Sequence, residues 1–182
     1  MFVAIVNQEG TDGKSIRSFA GPFISYADRF YQCEKEGKWS WNMRVSHFNP
    51  QKPKQLQVLS GNLTAPVPID DSAWVRVNLD VRNNNQWKEN SLVIDFKDKA
   101  CSMIATHIPG FYHLMFDKDG KAPKSPCVIP AGVYVANQEP VDWTFPKFPV
   151  LPYGHYQFKI KIGSAKDLIA CLIVECHVIP KP

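Results

Sequence analysis

The chain lacks most of the patterns that would mark it as an enzyme. It has no Gly-x-Ser-x-Gly elbow, no Gly-x-Gly-x-x-Gly turn and no Walker loop, which removes the common serine-hydrolase, dinucleotide and nucleotide-phosphate sites. No cysteine lies in a C-x-x-C pair and no His-x-His or His-x-x-x-His accompanies the cysteines, so no zinc motif is written locally. No apolar run reaches the roughly 18 residues needed to span a bilayer. Charge of one sign is scarce too. Twenty-one Lys and Arg against 17 Asp and Glu leave +4, scattered without the basic stripe of a nucleic-acid binder. Repeats, low-complexity tracts and domain-splitting linkers are missing. Asp117-Lys118-Asp119-Gly120 lacks the further ligands and distal Glu of a calcium loop and reads as a turn.

What is present is β pattern and grease. The 182 residues include 15 prolines and are 45% hydrophobic, enough for one domain with a real core. The stretch 74–82 alternates strictly, with Val75, Val77, Leu79 and Val81 opposite Arg76, Asn78, Asp80 and Arg82, as a strand with one wet face does. Asn83-Asn84-Asn85 turns the chain into a return strand at 91–96. Alternation recurs at 40–48 (Trp41, Met43, Val45, His47) and at 155–162 (Tyr156, Phe158, Ile160, Ile162). Shorter strands are expected at 55–59 and 132–136, and a long apolar one at 168–179. One short helix is expected at about 98–108, ended by Pro109-Gly110. Several short strands separated by turns predict an all-β sandwich or barrel. Residues 31–182 read as the single domain and residues 1–30 as an N-terminal arm or extra strand.

The loop 140–156 is unusual. Loops are normally polar, yet this one carries Trp143, Phe145, Phe148, Leu151 and Tyr153 among stiffening prolines. Its aromatics either rim an opening or plug a core from above. The same two readings apply to Phe111, Tyr112, Leu114, Met115 and Phe116, as a second rim or a packed strand. Alternation puts Val77, Leu79, Phe158, Ile160, Leu172 and Val174 on an inner face. Asp142, Lys147, Tyr153 and His155 are the polar groups expected at a mouth. No nucleophile is marked out beside His155, and neighbours Cys176 and His177 point to opposite faces of a strand, so no catalytic residue is assigned.

The five cysteines leave at least one thiol unpaired in an oxidised monomer. Cys171 and Cys176 lie an odd distance apart on one strand and so face opposite ways. Cys176 falls with Leu172, Val174 and Val178 on the greasier face, as a buried free thiol. Cys171 is available to bridge; a bridge to Cys33 would tie the first secure strand region to the last. The opening MFVAIV has no signal-peptide character, and the cysteines with the sequon Asn62-Leu63-Thr64, in a turn-like stretch 60–66, favour a mature secreted chain glycosylated at Asn62.

Taken in order, 33-CEKEGK-38, 61-GNLT-64, 101-CSMIATHIP-109, 127-CVIPAGVY-134, 151-LPYGHYQFKI-160 and 170-ACLIVE-175 resemble the ganglioside-activator branch of the ML-type lipid-recognition superfamily. The resemblance implies an immunoglobulin-like β-cup of two antiparallel sheets over a lipid-sized apolar cavity. It implies disulfides Cys33–Cys171 and Cys101–Cys127, with Cys176 free. It implies a secreted or lysosomal, non-enzymatic lipid-binding or lipid-transfer protein that needs no cofactor or metal and meets membranes transiently. Such a protein is a monomer or weak dimer and presents its lipid to a lipid-processing enzyme. Cysteines that staple the cavity mouth in the ganglioside activator are missing from this chain. The residues leave another reading open: an extracellular interaction module with a filled core and an apolar rim. A lipid-acting enzyme is the third, and it would need a nucleophile and base inside the cavity.

Overall fold

The computed structural model describes residues 19–35 and 37–182. The strands are β1 (Ala20–Gly21), β2 (Phe23–Gln32), β3 (Ser40–Val45), β4 (Gln57–Ala65), β5 (Ile69–Asp70), β6 (Trp74–Asn83) and β7 (Gln86–Phe96). Two helices follow, α1 (Ala100–His107) and α2 (Pro109–Phe116). Then come β8 (Val128–Ile129), β9 (Gly132–Val141), β10 (Leu151–Pro152), β11 (Gly154–Ser164) and β12 (Asp167–Pro180). The larger sheet runs β2-β12-β11-β6-β7 and the smaller β3-β4-β9, with short ladders β1-β10 and β5-β8. All described pairings are antiparallel, so the fold is the all-β, two-sheet sandwich that the alternation predicts.

Register explains the sandwich. Val77 pairs with Ile160 and Ile160 with Leu172; Leu79 pairs with Phe158 and Phe158 with Val174. Directly paired residues share a face, so the six inner-face candidates form two parallel apolar rows across β6, β11 and β12. The Asn-rich turn is as tight as its residues suggest. β6 ends at Asn83 and β7 begins at Gln86, leaving Asn84 and Asn85 at φ 50° and 61°. That is the double positive φ of a two-residue hairpin loop whose twist matches its strands.

The main core joins both sheets and both helices. Trp41, Met43, Leu59 and Leu63 of the small sheet meet Val75, Ile162 and Ile169 of the large one, with Ala100, Cys101, Phe111, Tyr112 and Met115 closing the side. A second cluster sits toward one end of the large sheet around Tyr156, Cys176 and Val178, with Leu79, Phe158, Leu151 and Tyr153 against it. Disulfides join Cys33 to Cys171 and Cys101 to Cys127, and Cys176 is free and buried.

Three expectations are corrected. Among the described residues there are two helices where one was expected, because Pro109 opens α2 rather than closing α1. Proline suits the first turn of a helix, where its missing N–H has no partner to lose. Phe111 to Phe116 are therefore helical, not a strand or loop. Asn62 is not in a turn: β4 runs on through it, pairing Asn62 with Asn42 and Val135. Gly61, the apparent turn residue, instead marks a register shift at φ +127°, where a Cβ would lie 2.0 Å from the Asn42 carbonyl oxygen. The Asn62 side chain is exposed. The alternation at 40–48 is strand only to Val45. Of the expected N-terminal arm, residues 1–18 lie outside the described residues; residues 23–32 form β2, hydrogen-bonded along β12.

Candidate functional site: a groove beneath the aromatic loop

Two spaces lie beside the core. The first is between the sheets, only about 90 Å³, and walled by Trp39, Trp41, Met43, Leu63, Ile108, Phe111, Ile160 and Leu172 among other apolar side chains. The second, about 430 Å³, is a groove on the other side of Trp143. Its walls are the start of β2 (Phe23 to Tyr26), Phe48, the segment 53–57, and the aromatic loop from Val141 to Pro149. Asp142, Lys54 and Lys181 supply its charged groups. The larger volume therefore lies outside the inter-sheet space, not over the two apolar rows. Side chains as large as Trp39, Trp41 and Phe111 fill most of the inter-sheet space.

Trp143 is built in. Its ring lies 6.1 Å from both Phe30 and Phe111. Its indole Nε1–H donates to Gln57 Oε1 at 3.1 Å, and its carbonyl accepts from Ser25 Oγ at 2.7 Å. The buried Gln57 amide is shared further. Oε1 also accepts the Ala27 N–H, while Nε2 donates to the carbonyls of Ala27 and Ser46. One side chain thus ties β2, β4, the strand exit after β3 and the aromatic loop together. A buried amide is tolerated because every group it meets is satisfied.

Beyond Trp143 the loop loosens. Phe145 leans on Phe23 at 6.3 Å between ring centres. Phe148 stays 43% exposed, with its ring 5.6 Å from His107. Leu151 and Tyr153 leave the groove: β10 pairs with β1, and the Tyr153 hydroxyl donates to the Pro22 carbonyl at 3.1 Å. Of the second candidate rim, Phe111 lines the small cavity, Tyr112 and Met115 are buried in the main core, and Leu114 packs against it. Of the four polar mouth candidates, only Asp142 lines the groove. It accepts from the backbone N–H and hydroxyl of Thr144. His155 is on the opposite face of the large sheet: its neighbour Tyr156 belongs to the inner cluster, and successive side chains alternate.

The groove residues that sequence reading missed are Phe23, Tyr26, Phe48 and Leu56. Phe23 and Tyr26 stand in the stretch 1–30, read only as an arm or extra strand, and Phe48 falls just past a strand end. Burial, with the Asp28 carboxylate nearby, raises the Tyr26 phenol above its ordinary value, so it remains a neutral hydroxyl at physiological pH.

No family model matches the chain, and no curated protein matches it. Among solved structures it is similar to the crystal structure of chicken MD-1 complexed with lipid IVa. Identity is 8% and the TM-score 0.32, over 89% of this chain and 99% of that one. The class defined by the strands themselves is a disulfide-bonded all-β sandwich with an aromatic-lined groove. No described helix is long and apolar enough to cross a membrane.

Proposed function

We propose that this chain is a non-enzymatic binder of single-chain amphiphiles, of the ML-type lipid-recognition kind, with the groove beneath Trp143 as its ligand site. The observation that carries the reading is the groove itself: about 430 Å³, inside the roughly 300–1,000 Å³ of ordinary ligand pockets, with Phe23, Phe48, Phe145 and Phe148 on its walls. An acyl chain laid there gains about 0.8 kcal/mol for each methylene taken from water, which offsets the ordering cost of binding. Lys54 and Lys181 suit an anionic head, a carboxylate or phosphate. The groove's two aliphatic hydroxyls, Ser25 and Thr144, already donate to a carbonyl and a carboxylate, which suits holding a ligand rather than attacking it. Agreement of both disulfides with the pairing that the resemblance implies supports the family reading, and disulfides favour an oxidising, secreted or lysosomal setting. There the protein would take lipid from a membrane and hand it to a processing enzyme.

A second reading, an interaction module with a filled core, is favoured by the small inter-sheet volume. Uptake separates the two. The purified full chain is expected to bind a fluorescent fatty acid saturably, and native mass spectrometry to show one lipid per chain. Trp143→Ala is expected to weaken uptake about tenfold. Full-affinity uptake by Trp143→Ala, or no uptake of fatty acid or lysophospholipid by the parent chain, would overturn the groove assignment.

A further inference from the structure

The opposite face of the large sheet carries a polar cluster that abuts the groove through two shared rings, Tyr26 and Phe48. β11 and β12 pair His155 directly with His177, and the two imidazoles stack at 4.0 Å with 16° between planes. The column is held from both ends. Tyr26 stacks on His177 at 4.8 Å and Phe48 on Tyr26 at 4.0 Å, while the Trp87 edge meets His155 at 5.1 Å. Stacking leaves both Nε2 atoms turned toward carboxylates. His177 Nε2 is 2.7 Å and His155 Nε2 3.7 Å from Asp28 Oδ2, and His155 Nε2 is 2.6 Å from Glu175 Oε1. The second Glu175 oxygen accepts from the Tyr31 hydroxyl at 2.9 Å and lies 3.5 Å from Arg29 Nε. Asp28, His155 and His177 are 34%, 26% and 27% exposed at their side chains, Glu175 11%, so an ion could enter from solvent.

We propose that Asp28, His155 and His177 form a binding site for a divalent transition cation of the zinc type, with Glu175, which of these three touches His155 alone, able to join them by rotating its side chain. Two imidazoles and a carboxylate are a common zinc donor set. A tetrahedral zinc with bonds of about 2.0–2.1 Å needs donor atoms about 3.3 Å apart, and the two contacts from Asp28 Oδ2 to the imidazoles, 2.7 and 3.7 Å, straddle that spacing. The donor atoms of Asp28, His155 and His177 all lie within 4.8 Å of one another, so small side-chain rotations suffice. On binding, each Nε2 presents its lone pair and each ring stays neutral with a proton on Nδ1; the protons that His155 Nε2 shares with Glu175 and His177 Nε2 with Asp28 move to Nδ1 where the ring was neutral and leave to solvent where it was charged. Tyr31 and Arg29 then hold the far oxygen of Glu175, the outer-shell support that metal sites commonly have. The other described group of potential ligands, Asp71 with Cys101 and Cys127, is no competitor, because both sulfurs are in a disulfide.

The test is calorimetric titration of Zn²⁺ alone into the chelator-stripped full chain, repeated with Co²⁺ for its visible bands. Saturable binding at about one equivalent is expected, with the intense cobalt bands of four-coordinate geometry. Asp28→Asn and His177→Gln are each expected to weaken it by about tenfold or more, whereas His47→Gln and His113→Gln change it by less than about twofold. Should His177→Gln fail to fold, the near-isosteric Asp28→Asn carries the test. No saturable binding, or affinity that survives Asp28→Asn, overturns the site. Lipid uptake is a separate readout, so either proposal can fail alone.

Discussion

Gln57 shows how much of the candidate site rests on single side chains. Its amide is buried, and it bonds the Ala27 N–H and carbonyl, the Ser46 carbonyl and the Trp143 indole. Gln57→Leu keeps the bulk but strands those groups without partners. Leaving a buried polar group unsatisfied costs about 1–3 kcal/mol, so the variant is expected to lose roughly 3 kcal/mol in urea unfolding and to loosen the loop. A loss below about 0.5 kcal/mol would mean that water replaces the amide freely. Nothing in the local sequence singles Gln57 out, because its partners are distant in the chain. Trp143 was legible as a residue needing an apolar home; that its home is half core and half groove was not.

Among the elements, the long strands and the first helix were legible and the second helix was not. The register of β6, β11 and β12 is fixed by alternation over long runs, since a slip of a single residue would turn every side chain to the wrong face. The α1 start carries no cap of its own: Lys99 sits at φ 75° with no side-chain bond to the helix. The cap comes from Asp71, whose carboxylate accepts the Ser102 N–H at 2.8 Å and the Ser102 hydroxyl at 2.5 Å, a contact across 31 residues that no local pattern records. The second helix is locked to the aromatic loop by Gly110, where a Cβ would lie 2.0 Å from the Asp142 carbonyl oxygen. Gly110→Ala is helix-compatible in itself but must push that loop away. Overpacking of this kind costs about 1–3 kcal/mol. A drop in that range by urea unfolding, with altered fatty-acid uptake, is the expected outcome; unchanged stability and uptake would show that loop and helix are not coupled.

For the whole molecule, the sandwich and the buried Cys176 thiol were readable from alternation and parity, whereas the Cys101–Cys127 pairing came only from the family resemblance. The cavity was not readable, because volume depends on how Trp39, Trp41 and Phe111 fill space. The paired histidines were missed because only strand pairing brings 155 beside 177. The free thiol also shapes pH behaviour. Burial first, then the nearby Asp28 and Glu175 carboxylates, push Cys176 from 9.0 up to about 12. Above 9 the unfolded chain has released this proton and the folded chain has not, so the folded state binds more protons and stability falls with rising pH. The contribution is complete below pH 9 and fades towards 12. Unfolding midpoints should decline over that window, and Cys176→Val should flatten the decline. A parallel decline in the variant would assign the effect to the tyrosines, several of which burial also raises.

The Gln57 bridge has one more consequence. Where it crosses from β4 to β2, the seam between the two sheets is closed by a rotatable side chain in place of a rigid ladder rung. Such a clasp can unfasten by a change of rotamer while both sheets stay intact. If the groove takes a guest as proposed, entry would need only a local event at the Ala27 amide and the Trp143 indole, and those two protons are where a breathing groove would first exchange with deuterium.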